Sequence, residues 1–137
     1  MSSIEFNPSL VGIKVVTTYL PSHSRPDDSE YTFAYTITIS NAGDLPVQLL
    51  SRHWIITDAD NEVQEVRGEG VVGEQPVIGP GESFRYTSGA TLTTPVGCME
   101  GSYFMVIREP MEVNPSDLPT FEVQIPAFSL HTPTALH

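Results

Sequence analysis

Apolar and polar residues alternate with period two along much of this chain. Tyr31, Phe33, Tyr35, Ile37 and Ile39 interleave with Thr32, Ala34, Thr36 and Thr38. Nine residues of strict alternation predict a strand with the odd-numbered set turned inward and the even-numbered set toward water. Val11, Ile13, Val15, Thr17 and Tyr19 repeat the pattern upstream. The polar, proline-bracketed stretch from Pro21 to Asp28 separates the two, and Asn41-Ala42-Gly43-Asp44 closes the second as a turn.

Val47 to Asp58 reads as a third strand, more apolar on both faces. Asp60-Asn61 marks a turn, and Val63 to Arg67 is the expected hairpin partner. Gly68 to Gly73 is too rich in glycine for a regular strand, and Gly79-Pro80-Gly81 is a sharp turn. Phe84, Tyr86 and Leu92 predict one or two strands around Ser88-Gly89. Thr94-Pro95-Val96-Gly97 breaks the chain again. Tyr103–Ile107 and Phe121–Ile125 are the last clear strands, joined by a proline-punctuated connection over 109–119. The end of the chain, from His131, is expected to drape over a sheet. No segment carries a 3.6-residue period long enough for a structural helix. About seven short strands with Gly/Pro turns predict an antiparallel sandwich or barrel.

Composition agrees. Val, Ile and Thr supply 35 of the 137 residues, against 6 Ala and one Lys. The length suits a single domain spanning 1–137. Charge narrows the function classes. Six basic and 17 acidic residues give a net charge of -11, which argues against a nucleic-acid face or docking on an anionic membrane. The lone Cys98 forms no internal disulfide, and the N-terminal residues carry no secretory pattern, so a cytoplasmic protein is expected.

Candidate chemistry is sparse. Gly68-Glu69-Gly70-Val71-Val72-Gly73 has G-x-G-x-x-G spacing, and Arg67 precedes it. In dinucleotide folds such glycines let backbone N–H groups reach a pyrophosphate at a helix N-terminus. Here Glu74-Gln75-Pro76 follows and cannot open a long helix, so two readings stand: an anion-binding loop, or glycines that permit positive φ between strands. Nearby cations, Arg67 with Arg52 or Arg85, face Glu65, Glu69 and Glu74. In Arg52-His53-Trp54, alternation puts Arg52, Trp54 and Ile56 on one face. A core tryptophan with its arginine at the sheet margin is favoured over a stacking site for a nucleotide.

Asp58 to Glu69 has the length of a calcium loop, but Val63 stands where such a loop needs glycine, and flanking helices are missing. A solvated hairpin tip is expected, with no metal. Cys98 has no basic neighbour to activate it, Ser88 lies outside a nucleophile elbow, and the four histidines lack ligand spacing. No catalytic group and no cofactor are expected.

Several separated motifs resemble the ApaG family, also called CorD. They are Arg52 to Asp58, Gly68 to Pro76, Tyr86-Thr87-Ser88-Gly89, Thr94 to Gly101, Ile125 to Leu130 and the closing Leu136-His137. The resemblance implies an immunoglobulin/fibronectin-III-like β-sandwich. It also implies a bacterial protein whose gene often neighbours that of a diadenosine tetraphosphate hydrolase, with a name referring to cobalt and magnesium resistance. Related domains in eukaryotic F-box proteins and in a polymerase-interacting protein imply a protein-interaction role. A pyrophosphate-binding role implied for the family would fall on Gly68, Gly70 and Gly73. The long proline-rich connection after Ile107, and Cys98 in place of a threonine or another small residue, depart from the family pattern.

The expected function is a non-catalytic binding module for an unidentified protein partner. The alternative is a weak binder, or a hydrolase, of nucleotide or diadenosine polyphosphates, using Arg67, Gly68, Gly70 and Gly73.

Overall fold

A computed structural model of the chain describes residues 7–108 and 120–134. Eight strands account for most of them: β1 (Val11–Tyr19), β2 (Tyr31–Asn41), β3 (Val47–Asp58), β4 (Val63–Glu69), β5 (Val77–Ile78), β6 (Ser83–Leu92), β7 (Val96–Ile107) and β8 (Thr120–His131). Every pairing is antiparallel. One sheet has the order β1-β2-β6. The other has the order β4-β3-β7-β8, with β5 also on β3. The two sheets are separate, so the architecture is a sandwich and not a barrel. The strand beyond the expected seven is β5, two residues whose partners are Val47 and Gln48. Among the described residues, no helix is long and apolar enough to cross a membrane.

The alternation in β2 lands as expected. Phe33, Tyr35, Ile37 and Ile39 are buried between the sheets, against Tyr103 and Met105 of β7 and Val123, Ile125 and Leu130 of β8. The even-numbered residues form the outer face, where hydroxyls pair across strands: Thr32 with Thr91 (2.9 Å), Thr36 with Thr87 (2.8 Å) and Ser40 with Ser83 (2.9 Å). Threonine there serves both β-propensity and a polar surface.

Of the one or two strands expected around Ser88-Gly89, the structure has one, because Gly89 pairs with Ala34 inside the ladder. Other boundaries differ from the sequence expectation. Strand β7 begins at Val96, since Thr94 Oγ1 donates to the Val96 carbonyl (2.7 Å) and closes the turn within its own residues. Strand β8 runs past Pro126 to His131; it is an edge strand, where a residue lacking N–H is tolerated. Thr132 then donates its N–H to the Pro95 carbonyl (3.0 Å), tying the end of β8 to the β6–β7 turn. The proline-rich connection at 109–119 lies outside the described residues.

Candidate functional site

The glycine-rich segment is more ordered than its composition indicated. Strand β4 continues through Gly68 and Glu69, with Gly68 opposite Arg52. The absent side chain at Gly68 makes room for a neighbour: a Cβ there would stand 2.8 Å from Arg52 Cζ. The guanidinium lies against the Gly68 backbone and Nη1 donates to the carbonyls of Glu69 (3.1 Å) and Gly70 (2.7 Å). A charged donor on two carbonyls is a strong clasp.

Gly70 is buried, has φ +62°, and donates its N–H to the Leu50 carbonyl (2.8 Å). A Cβ on it would collide with the Glu74 carbonyl. Val71 and Glu74 then exchange two backbone hydrogen bonds (2.8 and 2.9 Å) around Val72 and Gly73. Both central residues have positive φ, +44° and +80°, as a two-residue type I′ hairpin turn requires. Val71 is in the core, whereas Val72 is 56% exposed. Gln75 Nε2 donates to the Leu50 carbonyl (2.9 Å) and Gln48 Nε2 to the Gln75 carbonyl (3.0 Å), so the turn is lashed to β3 from both sides.

Arg67, Gly68, Gly70 and Gly73 do not meet in one concavity. Arg67 stands on the outer face of the larger sheet, its Nη2 3.6 Å from the Glu65 carboxylate, which also lies 3.5 Å from His53 Nε2. Arg67 and Gly68 line a shallow cleft beside Phe104. Gly73 lines a different cleft, of about 240 Å³, with Tyr35, Trp54, Tyr86 and Ser88. Gly70 lines neither. The N–H groups of Val72 and Gly73 make no hydrogen bond among the described residues.

Trp54 is a core residue, 2% exposed, with Tyr35, Tyr103 and Phe128 around it at centroid distances of 5.5, 6.3 and 5.9 Å. Arg52 stands at the margin of that core, as alternation placed it, and its donors serve the turn. Beneath the turn, the hydroxyls of Tyr86 and Tyr103 share a short hydrogen bond between the sheets. Burial pushes both phenols well above the ordinary tyrosine range.

The acidic turn is closed by its own residues and by the β6–β7 turn, where Thr94 Oγ1 accepts the Ala59 N–H (3.1 Å) and Thr93 Oγ1 donates to Asp58 Oδ2 (3.4 Å). Asp58 Oδ1 accepts the N–H groups of Asp60 (2.8 Å) and Glu62 (3.0 Å), and Asn61 takes the left-handed position with φ +63°. Among the described residues no three His, Cys, Asp or Glu side chains gather as a metal would need. Burial, then the Glu100 carboxylate, raises the Cys98 thiol above its usual value, the opposite of what a nucleophilic cysteine requires.

Sequence reasoning read Val72 only as a spacer in the glycine motif. No residue-type signal marks it, because valine is disfavoured at the φ it adopts. The Arg52 clasp was equally hidden, since the spacing between Arg52 and Gly70 becomes meaningful only once β3 and β4 pair.

The family model described as the ApaG domain matches residues 21–107. Protein ApaG of Dechloromonas aromatica is 51% identical over 131 residues, which is 96% of this chain and 97% of that protein. Protein ApaG of Pseudomonas aeruginosa is 54% identical over 127 residues, covering 93% of this chain and 94% of that one. A crystal structure of a Bordetella pertussis protein described as ApaA superposes with a TM-score of 0.82 at 46% identity, over 91% of this chain and 95% of its own. Fold and sequence coincide over nearly the whole length: this chain belongs to the ApaG family.

Proposed function

We propose that this chain is a non-catalytic binding module that recognises a protein partner through the glycine turn. Val72 carries this reading. A β-branched residue at φ +44° costs of order 1–3 kcal/mol relative to an unstrained backbone. Glycine would remove that strain, and asparagine would lessen it. With 56% of its surface exposed, the side chain gains little core packing in return. Its methyl groups are therefore available to a surface outside the chain, on a turn held rigid by Arg52, Gln75 and the buried Val71. A rigid loop tip that presents an apolar anchor suits protein recognition, where little ordering cost remains to be met on binding.

The test compares the natural chain with Val72→Gly as baits in native lysate, using crosslinking and quantitative mass spectrometry. The variant is expected to keep its fold and to lose at least about tenfold of one specific partner, a loss equivalent to about 1.4 kcal/mol. Identical partner profiles for the two baits would defeat the reading.

A second reading follows from the unpartnered N–H groups of Val72 and Gly73: weak binding of a nucleotide or diadenosine polyphosphate. Two amides, with Arg67 turned away toward Glu65, support at most a millimolar dissociation constant, about -4 kcal/mol. Titration with ATP should then shift amides within 70–74 only, equally in Arg67→Ala, with no product formed.

A further inference from the structure

Away from the glycine turn, the end of the sandwich where β1 leaves Tyr19 and β6 turns into β7 carries an open groove of about 490 Å³. Its walls are two tyrosines, Tyr19 and Tyr31, and three prolines, Pro26, Pro95 and Pro133. The Tyr19 ring is fixed by the core, 5.3 Å from Phe33. Both tyrosines are half-buried, and their hydroxyls make no hydrogen bond among the described residues. The bond from Thr132 N–H to the Pro95 carbonyl holds two walls together. The lip beside Pro26 carries Asp27, Asp28 and Glu30 against Arg25, all exposed.

We propose that this groove binds a proline-rich segment in the polyproline II conformation that carries a basic residue. Pyrrolidine rings pack on flat aromatic walls, and a polyproline II segment is already extended, so little entropy is lost on docking. Its carbonyls have no internal partners and can accept from the two tyrosine hydroxyls. The acidic lip, within a chain of net charge -11, selects a cationic neighbour and disfavours an anionic one. This inference does not depend on the glycine turn.

The probe is a synthetic peptide of eight prolines with one arginine at each end, titrated into the full chain and followed by amide shifts. Saturable shifts at Asp27, Asp28, Tyr31, Thr132 and Thr134 are expected, unchanged in Val72→Gly. Tyr31→Ala should weaken binding about tenfold or more, the scale of one buried aromatic contact. Asp27→Lys with Asp28→Lys lies on the exposed loop and leaves the core untouched, so it decides the matter even if Tyr31→Ala unfolds. It should weaken the arginine peptide about threefold or more, and added salt should do the same. Four outcomes overturn the proposal. They are no saturable shift at millimolar peptide, equal binding of a glutamate-flanked peptide, shifts that map to the glycine turn, or binding that emerges only in Leu136→Glu, which would assign the groove to the chain's own end.

Discussion

Two tight turns of this sandwich, the acidic one after β3 and the glycine one after β4, each hold a non-glycine residue left-handed, and they fill the position oppositely. The acidic turn uses Asn61, a residue type that tolerates such a backbone, and its carboxylate Asp58 accepts the turn's own amides. Its local chemistry serves its own fold, with added support from Thr93 and Thr94. The glycine turn uses Val72, which tolerates that backbone poorly, and leaves the Val72 and Gly73 amides without partners among the described residues. The structure supports this turn from outside it, through Arg52 and Gln75. Distant residues secure both turns; what separates them is a residue that local folding disfavours, beside two amides left without partners among the described residues.

The strongest way to break this comparison is Gly70→Ala. Positive φ and the collision with the Glu74 carbonyl should together destabilise the chain by about 2–4 kcal/mol, measured by urea denaturation. A loss under 0.5 kcal/mol, on the same scale, would show that the turn is not built as described.

Next in size is a pH effect. Tyr86 borders the cleft beneath the glycine turn, and its hydrogen-bond partner Tyr103 is fully buried. Folding raises both phenol pKa values, so stability is at its full value below about pH 10 and falls as pH rises beyond the unfolded tyrosine range. Each phenol kept protonated should subtract about 1.4 kcal/mol per pH unit there. Denaturation curves at pH 9 and pH 11 measure this, with Tyr86→Phe expected to flatten the dependence. Hydrogen exchange sharpens the comparison, since amides near the glycine turn should lose protection before those near Asp58.

The smallest effect is the most discriminating. Val72→Gly should leave stability unchanged or raise it by up to about 1 kcal/mol, relief of strain being partly offset by the entropy of the unfolded glycine. Asn61→Gly should stay within about 0.5 kcal/mol of the natural chain, because asparagine pays little for its conformation. If thermal melts show Val72→Gly clearly destabilised, the valine is serving the fold, and the contrast between the turns disappears.

The fold was largely legible in the chain. Strict alternation from Tyr31 to Ile39 identifies the inward set because a strand has only two faces, and a slip of one residue would expose Phe33, Ile37 and Ile39 together. Local turn chemistry was legible too: Asp58, Asp60 and Asn61 act within a few residues of one another. The site was less so. The three glycines stand in recognisable spacing, yet each answers a different neighbour: Arg52 across the ladder, the Glu74 carbonyl, and the φ of a two-residue turn.

The amino-acid order by itself determined an acidic, all-β, antiparallel chain with Phe33, Tyr35, Ile37 and Ile39 turned inward and a family resemblance spread over its length. Periodicity and turn propensity are short-range properties, written within a handful of residues. Only the tertiary structure decided that Arg52 clasps the glycine turn from β3, that Val72 is forced left-handed and outward, that Arg67 faces away from Gly73, and that Tyr19, Tyr31, Pro95 and Pro133 meet around one groove. Those arrangements depend on strand pairing between residues far apart in the chain, which periodicity along a single segment does not encode.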